Sequence, residues 1–270
     1  MTDIVNSVIL GIVEGLTEFL PVSSTAHLLV AERMLQLPAQ KWDVFTIVIQ
    51  FGAVLAVVWV YWHKFWNVLI GLPRSAEARR FAATILVAFL PSVVAGVLLK
   101  HWIDKVLDSP AIALPVIAVS WIVGGVLILV LERIAPKPRH LDGDRLPFWT
   151  AFQIGCLQIL AIVFPGTSRS GATILGGELI GVDRAAAAAF TFYLAVPTML
   201  GASVYDLWKN RAGLDAGQGL DIAIGFVVSF IVALFVVRGF IAFISRYGLK
   251  PFGWYRIATG LALIAVLALY

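Results

Sequence analysis

The chain has 270 residues, of which 60% are hydrophobic and 13% charged; an ordinary soluble domain is about one quarter charged, so a conventional soluble fold is excluded. The formal net charge of +4 does not point to nucleic acid, because the basic residues sit in short loops beside apolar runs and not along one continuous face. A single cysteine, Cys156, cannot form an internal disulfide and reads as a packing residue.

In chain order, the first expected element is an apolar helix over about residues 4–20, roughly 25 Å long at 1.5 Å per residue. The first Lys or Arg is Arg33, so the start lacks the basic region of a signal peptide and no cleavage is expected. This helix carries Glu14 and Glu18 and stops at Pro21-Val22-Ser23-Ser24, where proline interrupts it inside the membrane. A short apolar stretch from Thr25 to Leu37 then returns to the side it came from, giving a re-entrant pair over about 4–37. Apolar spans close to the roughly 20 residues a membrane helix needs follow at about 44–62, 81–99 and 112–131. Residues 136–148 form the one sizeable polar stretch and read as a cytoplasmic linker. A second re-entrant pair over about 150–180 turns at Pro165-Gly166, and three further spans lie at about 186–207, 220–244 and 252–269. Tryptophans near span ends (Trp42, Trp62, Trp66, Trp102, Trp149, Trp208 and Trp254) read as an interfacial belt.

The expected fold is therefore an all-α integral membrane protein with six transmembrane helices and two re-entrant helix pairs. The segment from Gly11 to Thr25 aligns without a gap on Gly155 to Arg169, and Phe45-Thr46 matches Phe190-Thr191, so residues 1–135 and 149–270 read as two repeats. Three spans in each half, an odd number, make the repeat inverted. The loops around 63–80, 132–148, 181–184 and 245–250 hold most of the loop Lys and Arg residues, which places them in the cytoplasm and both termini outside. Non-helical backbone at membrane depth must be buried in protein or line a wet cavity, so the two re-entrant tips are expected to meet centrally.

Chemistry concentrates at those tips. Glu14 and Glu18 are four apart, on one helix face, and each costs about 2.5–3.5 kcal/mol to insert at membrane depth, more than passive packing explains. Carboxylate oxygens at this spacing suit a hard divalent cation, magnesium or calcium, with water and phosphate completing its shell. The run Pro165-Gly166-Thr167-Ser168-Arg169-Ser170-Gly171-Ala172-Thr173 sets hydroxyls and a guanidinium at the start of a helix, an anion cradle in which Arg169, Thr167, Ser168, Ser170 and Gly171 face phosphate. At the matching turn, Ser23 and Thr25, which are also expected to bind the substrate phosphate, flank Ser24 and precede His27, which is within one helical turn of Ser24 and placed to activate its hydroxyl or protonate a leaving group. Ser24 as nucleophile with His27 as acid or base is the expected assignment; attack by His27 or by a positioned water stays open. Gln158 stands where the first half has Glu14. Gln50, Glu178 and Asp183 are lesser candidates, Gln50 as a cavity residue and Asp183 as an interfacial partner of Arg184.

Glu14-Gly-Leu-Thr-Glu18-Phe-Leu-Pro-Val-Ser-Ser-Thr-Ala-His27 and Pro165-Gly-Thr-Ser-Arg-Ser-Gly-Ala-Thr173 resemble the two signature motifs of the BacA-type undecaprenyl diphosphate phosphatases. The resemblance runs along the whole chain and includes Leu194-Ala195-Val196-Pro197. It implies a bacterial inner-membrane enzyme that hydrolyses undecaprenyl diphosphate to the monophosphate carrier lipid, supporting peptidoglycan synthesis and bacitracin resistance. The family's acidic pair, serine, histidine and arginine fall on Glu14, Glu18, Ser24, His27 and Arg169. The substrate head group is expected to enter from the periplasmic side with its prenyl tail left in lipid. The expected partners are this lipid and the bilayer, with no nucleic acid; a homodimer is one option for assembly. The competing reading is a transporter or flippase of a phosphorylated polyprenyl lipid, since inverted repeats with broken helices also build carriers.

Overall fold

The computed structural model describes residues 2–37, 39–107, 110–209 and 219–269. Helix is the dominant structure throughout, as expected of a chain with lipid for solvent, in which each backbone N–H and C=O must be satisfied within the segment. Helix α1 (Thr2–Thr17) and helix α2 (Ser24–Met34) are joined by a tight turn, and α3 (Ala39–Val60) follows. Then come α4 (Trp62–Gly71), α5 (Ala76–Leu107) and α6 (Pro110–Ile134). After a 3₁₀ turn at Gly143–Arg145, the second half contains α7 (Phe148–Val163), α8 (Arg169–Leu179), α9 (Arg184–Lys209), α10 (Gly219–Tyr247) and α11 (Lys250–Leu269).

Five helical stretches are long and apolar enough to cross a membrane: Ala76–Leu99, Ile112–Ile134, Arg184–Tyr205, Gly219–Tyr247 and Lys250–Leu269. A sixth crossing arises if Val44–Val60 and Trp62–Gly71, bent 76° from one another, count as one. This is a multi-pass membrane protein. The stretch 63–80, expected to be a loop, instead contains α4 and the first turn of α5. Helix α4 has no buried residue, and Trp62, Trp66, Leu69 and Ile70 are exposed on it. Of the tryptophans expected in an interfacial belt, Trp62, Trp66, Trp149, Trp208 and Trp254 are exposed. Trp42 is not: it is buried against Phe45 with Leu10, Leu28 and Ile49. The Trp102 side chain lies outside the described residues.

Glycines set the helix crossings. Apolar lipid supplies no hydrophobic drive for helix association, so close backbone contact between small residues does more of the work. A Cβ at Gly11 or Gly15 of α1 would sit 2.7 Å from a carbonyl oxygen of α10, at Gly225 and Ser229 respectively. One at Gly52 of α3 would sit equally close to the Phe226 carbonyl, and one at Gly125 of α6 would lie 2.6 Å from that of Gly253 in α11. Helix α10 is thereby clasped between α1 and α3, α6 lies along α11, and α7 lies along α5.

The 136–148 stretch is ordered and tied to the α8–α9 turn. The Arg139 and His140 N–H groups donate to the Gly181 carbonyl, and Asp183 N–H donates to the His140 carbonyl. Lys64 pairs with Asp144 at 2.7 Å and Arg145 with Glu77 at 2.8 Å. Asp183 is no interfacial partner for Arg184: its carboxylate accepts from the Ala185 and Ala186 N–H groups and caps α9. Arg184 pairs instead with Glu132, at 2.6 Å, and with Glu178.

Candidate active site

The turns after α1 and α7 come together. Helix α1 ends at Thr17 and α2 begins after Ser23, which has φ 73° and ψ 100°. Helix α7 ends at Val163 and α8 begins after Ser168, with φ 68° and ψ 115°. Left-handed backbone costs a non-glycine residue roughly 1–2 kcal/mol, so both tips hold a serine in the same strained conformation. These caps are one position out of step with the gapless alignment, which pairs Ser24 with Ser168. In three dimensions Ser168 corresponds to Ser23, and Arg169 to Ser24, each opening an 11-residue helix.

Side chains knit one tip to the other. Ser170 Oγ donates to the Leu20 carbonyl at 2.8 Å, and the Ser168 hydroxyl lies 3.1 Å from that of Ser170. Ser168 Oγ also accepts the Gly171 N–H at 3.2 Å. The Trp121 indole N–H donates to the Val22 carbonyl at 3.0 Å. Arg256 of α11, 1% exposed, reaches both turns. Its Nη1 donates to the Pro21 and Thr167 carbonyls at 3.2 and 2.9 Å, and its Nη2 to those of Ser120 and Gly166 at 2.8 and 3.0 Å. A carbonyl cage of this kind satisfies a buried guanidinium without a counter-ion.

The centre of the site is Glu18. Its Oε2 accepts the Ser24 hydroxyl, and its Oε1 accepts Arg169 Nη2 at 2.8 Å. Arg169 Nη2 also lies 3.3 Å from the Met199 sulfur, whereas its Nη1 is buried with no partner. A guanidinium with a free N–H edge beside a carboxylate-bound hydroxyl is equipped to bind an anion next to a nucleophile. Glu14 is fully buried, both its oxygens lack a hydrogen-bond partner, and it lies within electrostatic reach of Glu18 and Arg169. Two orphaned carboxylate oxygens next to a second carboxylate fit a divalent cation, which would offset a charge otherwise costly to bury. Among the described residues no group of three or more His, Cys, Asp or Glu side chains could hold a metal, so phosphate and water oxygens would have to complete the shell.

A cavity of about 750 Å³ opens over these groups. Glu18, Ser23, Ser24, Thr25, Ser168 and Arg169 form its polar end, and Gln50, as expected from the sequence, also lines it. The rest of its wall is largely apolar, with Phe89, Val93 and Val97 of α5, Ile162 of α7 and Met199 and Ala202 of α9. Val93, Val97 and Ala202 are its exposed apolar lining residues.

The expected residues are thus partly gathered. Glu14, Glu18, Ser24 and Arg169 converge. His27 does not meet Ser24: its Nδ1 lies 2.7 Å from the Ser23 carbonyl and its Nε2 2.8 Å from the Tyr255 hydroxyl. A carbonyl can only accept, so Nδ1 carries the proton, and His27 braces the strained Ser23 from the α11 side. The Ser170 hydroxyl and the Gly171 N–H are spent within and between the tips, and Thr167 contributes its carbonyl to Arg256. Arg256, Tyr255 and Trp121 were missed from sequence. The signal for Arg256 was an arginine inside an apolar span, which by itself calls for an explanation.

A family model described as "Bacitracin resistance protein BacA" matches residues 7–262. The chain is 47% identical over 268 residues to the undecaprenyl-diphosphatase of Rhodopseudomonas palustris (strain TIE-1), covering 98% of each chain. It is 48% identical over 260 residues to that of Caulobacter sp. (strain K31), covering 96% of each. With the protein of the same name from Novosphingobium aromaticivorans it shares 48% identity over the full length of both chains. The chain belongs to the BacA family of bacitracin resistance proteins.

Proposed function

We propose that this protein hydrolyses undecaprenyl diphosphate to undecaprenyl phosphate and inorganic phosphate, recycling the carrier lipid for peptidoglycan synthesis and conferring bacitracin resistance. The observation that carries the chemistry is the double role of Glu18, which accepts from Ser24 through one oxygen and from Arg169 through the other. In this reading the Arg169 guanidinium holds the terminal phosphoryl group and offsets the negative charge that develops in transfer. Glu18 takes the proton of Ser24 as its Oγ bonds to phosphorus. The bridging P–O bond breaks and undecaprenyl phosphate departs. Glu18 passes that proton to the departing lipid phosphate; water then attacks the phosphoserine, Glu18 takes a proton from the water and gives it to Ser24 Oγ as the P–Oγ bond breaks, and inorganic phosphate leaves with Ser24 restored. His27 acts behind Ser23 and not as the base.

Magnesium or calcium, held by Glu14 and Glu18, would neutralise the diphosphate when bound. The prenyl tail would leave the cavity between α5 and α9, where the apolar lining residues Val93, Val97 and Ala202 are exposed. In the same reading α1–α2 and α7–α8 are re-entrant pairs of an inverted repeat. At 1.5 Å per residue α1 and α7 reach only about 24 Å, and α2 and α8 about 17 Å, against a hydrocarbon core of about 30 Å. The protein would sit in the bacterial inner membrane with both termini outside and the site open to the periplasm, on the strength of the loop charge bias.

The test is inorganic phosphate release from undecaprenyl diphosphate by purified protein in detergent, with magnesium and with a chelator. Release without any gradient is expected. A folded protein that releases none under any metal, yet moves the lipid across liposomes, would instead be a carrier.

A further inference from the structure

The tip cluster provides for one phosphoryl group, but a lipid diphosphate has two. Arg169, with its free Nη1, and the Ser24 hydroxyl serve the terminal one. The phosphoryl group that stays on the lipid must find its partners elsewhere on the wall of the same cavity. Besides Gln50 of α3 and Tyr205 of α9, the polar side chains lining it outside the two tips are Gln158 of α7, Ser92 of α5 and Thr198 of α9.

The hydrogen bonds decide what each can do. Ser92 follows Pro91 inside α5, and its hydroxyl donates to the Phe89 carbonyl at 2.7 Å. Thr198 follows Pro197 inside α9, and its hydroxyl lies 2.7 Å from the Leu194 carbonyl. A carbonyl cannot donate, so both hydroxyl protons are committed to their own helices. What these two side chains show the cavity is lone pairs, which repel a phosphate oxygen. Gln158 differs. It is 2% exposed, and its Nε2 donates to Ser92 Oγ at a long 3.3 Å. Because Ser92 has already spent its proton, it must be the acceptor, which fixes the orientation of the amide. The second Nε2 proton is left over, on a buried group lining a cavity.

On the hydrolase reading above, we propose that Gln158 is the donor to the lipid-side phosphoryl group, the one retained in the product. A neutral donor suits that position. In the diphosphate this phosphoryl carries one negative charge, and after cleavage it carries up to two. A cation there would hold the product more tightly than the substrate, whereas an amide binds both modestly and lets the product go. Gln158 stands in the second half where Glu14 stands in the first. An acid at this point would repel the group that an amide binds.

The test separates the two phosphoryl seats through the two products. Binding of undecaprenyl phosphate and of inorganic phosphate to the purified protein is measured for wild type, Gln158→Leu and Gln158→Glu, alongside turnover. Both variants are expected to weaken undecaprenyl phosphate binding by about tenfold or more, the effect of losing one hydrogen bond to a charged acceptor, and to leave inorganic phosphate binding within about twofold. Arg169→Lys is expected to do the reverse. If Gln158→Leu and Gln158→Glu weaken both ligands equally, or neither, the assignment is overturned; should the leucine variant fail to fold, the nearly isosteric glutamate decides alone. Absence of turnover in wild type would sink the hydrolase reading, while the two binding measurements would still report on Gln158.

Discussion

Arg169 and Glu18 are joined at 2.8 Å across 151 positions of sequence, and this contact ties the turn between α1 and α2 to the turn between α7 and α8. The second Glu18 oxygen is occupied by Ser24, so the carboxylate sets the hydroxyl and the guanidinium relative to one another. In the proposed mechanism the unpartnered Nη1 of Arg169 is the group that turns to the phosphoryl oxygens as Ser24 attacks.

Ser24→Ala removes the proposed nucleophile while leaving a small residue at the start of α2. Phosphate release from undecaprenyl diphosphate is expected to fall by about 10³-fold or more, as when members of other nucleophile–base units are removed. Glu18→Gln, which keeps a similar shape but cannot take the proton, is expected to fall to a similar level, and the double variant no further. Turnover near wild type in Ser24→Ala would mean that water attacks directly.

His27→Ala distinguishes bracing from base catalysis. Since His27 bonds to the Ser23 carbonyl and Tyr255 and not to Ser24, the loss is expected to be about tenfold, with a matching loss in Tyr255→Phe. A loss as large as that of Ser24→Ala would return His27 to the role expected from its spacing alone.

The sequence made the tips legible because membrane depth makes polar residues costly: Glu14, Glu18 and Arg169 stood out against apolar runs, and proline and glycine marked the turns. The spans were legible for the same reason, although the start of α5 and the whole of α4 fell in a stretch read as loop, since Lys64 and the basic run near Arg79 outweighed the apolar residues of α4. What could not be read was direction. His27 lies three residues beyond Ser24, within one helical turn, which allows contact but does not require it; φ 73° at Ser23 and a tyrosine on a distant helix turned His27 the other way. Trp42 likewise sits at a span end, yet helix packing buries it. Arg256 carried a signal as an arginine inside an apolar span, but its partners, two turns distant in sequence, could not be read from it.

Glu14 offers a test of the cation. Its unpartnered buried oxygens predict that Glu14→Gln raises the magnesium concentration giving half-maximal turnover by tenfold or more, in proportion to the removal of one carboxylate ligand. Excess magnesium should restore part of the rate. A variant with an unchanged metal requirement but lower turnover would assign Glu14 a role in setting the charge of Glu18 instead.

Arg256 makes the strongest claim on stability. Its guanidinium is within hydrogen-bonding reach of five carbonyls on three segments, namely Pro21, Ser120, Trp121, Gly166 and Thr167, so its removal orphans acceptors at both tips. Arg256→Met is expected to cost on the order of 3 kcal/mol in detergent unfolding, and to lower turnover by loosening the Glu18–Arg169 contact. Arg256→Lys should recover little, because a single ammonium cannot span both turns. The same damage should be reachable without touching the arginine. A Cβ at Gly124 of α6 would lie 2.6 Å from Arg256 Cζ, so Gly124→Ala must displace the guanidinium and should reproduce the loss. Gly239→Ala, on the same scaffold but with nothing within 4 Å of the new methyl group, should be harmless or slightly stabilising through its gain in helix propensity. If Gly124→Ala unfolds like wild type while Arg256→Met does not, the arginine can satisfy the tips from a second position, and the cage is less specific than its five bonds suggest.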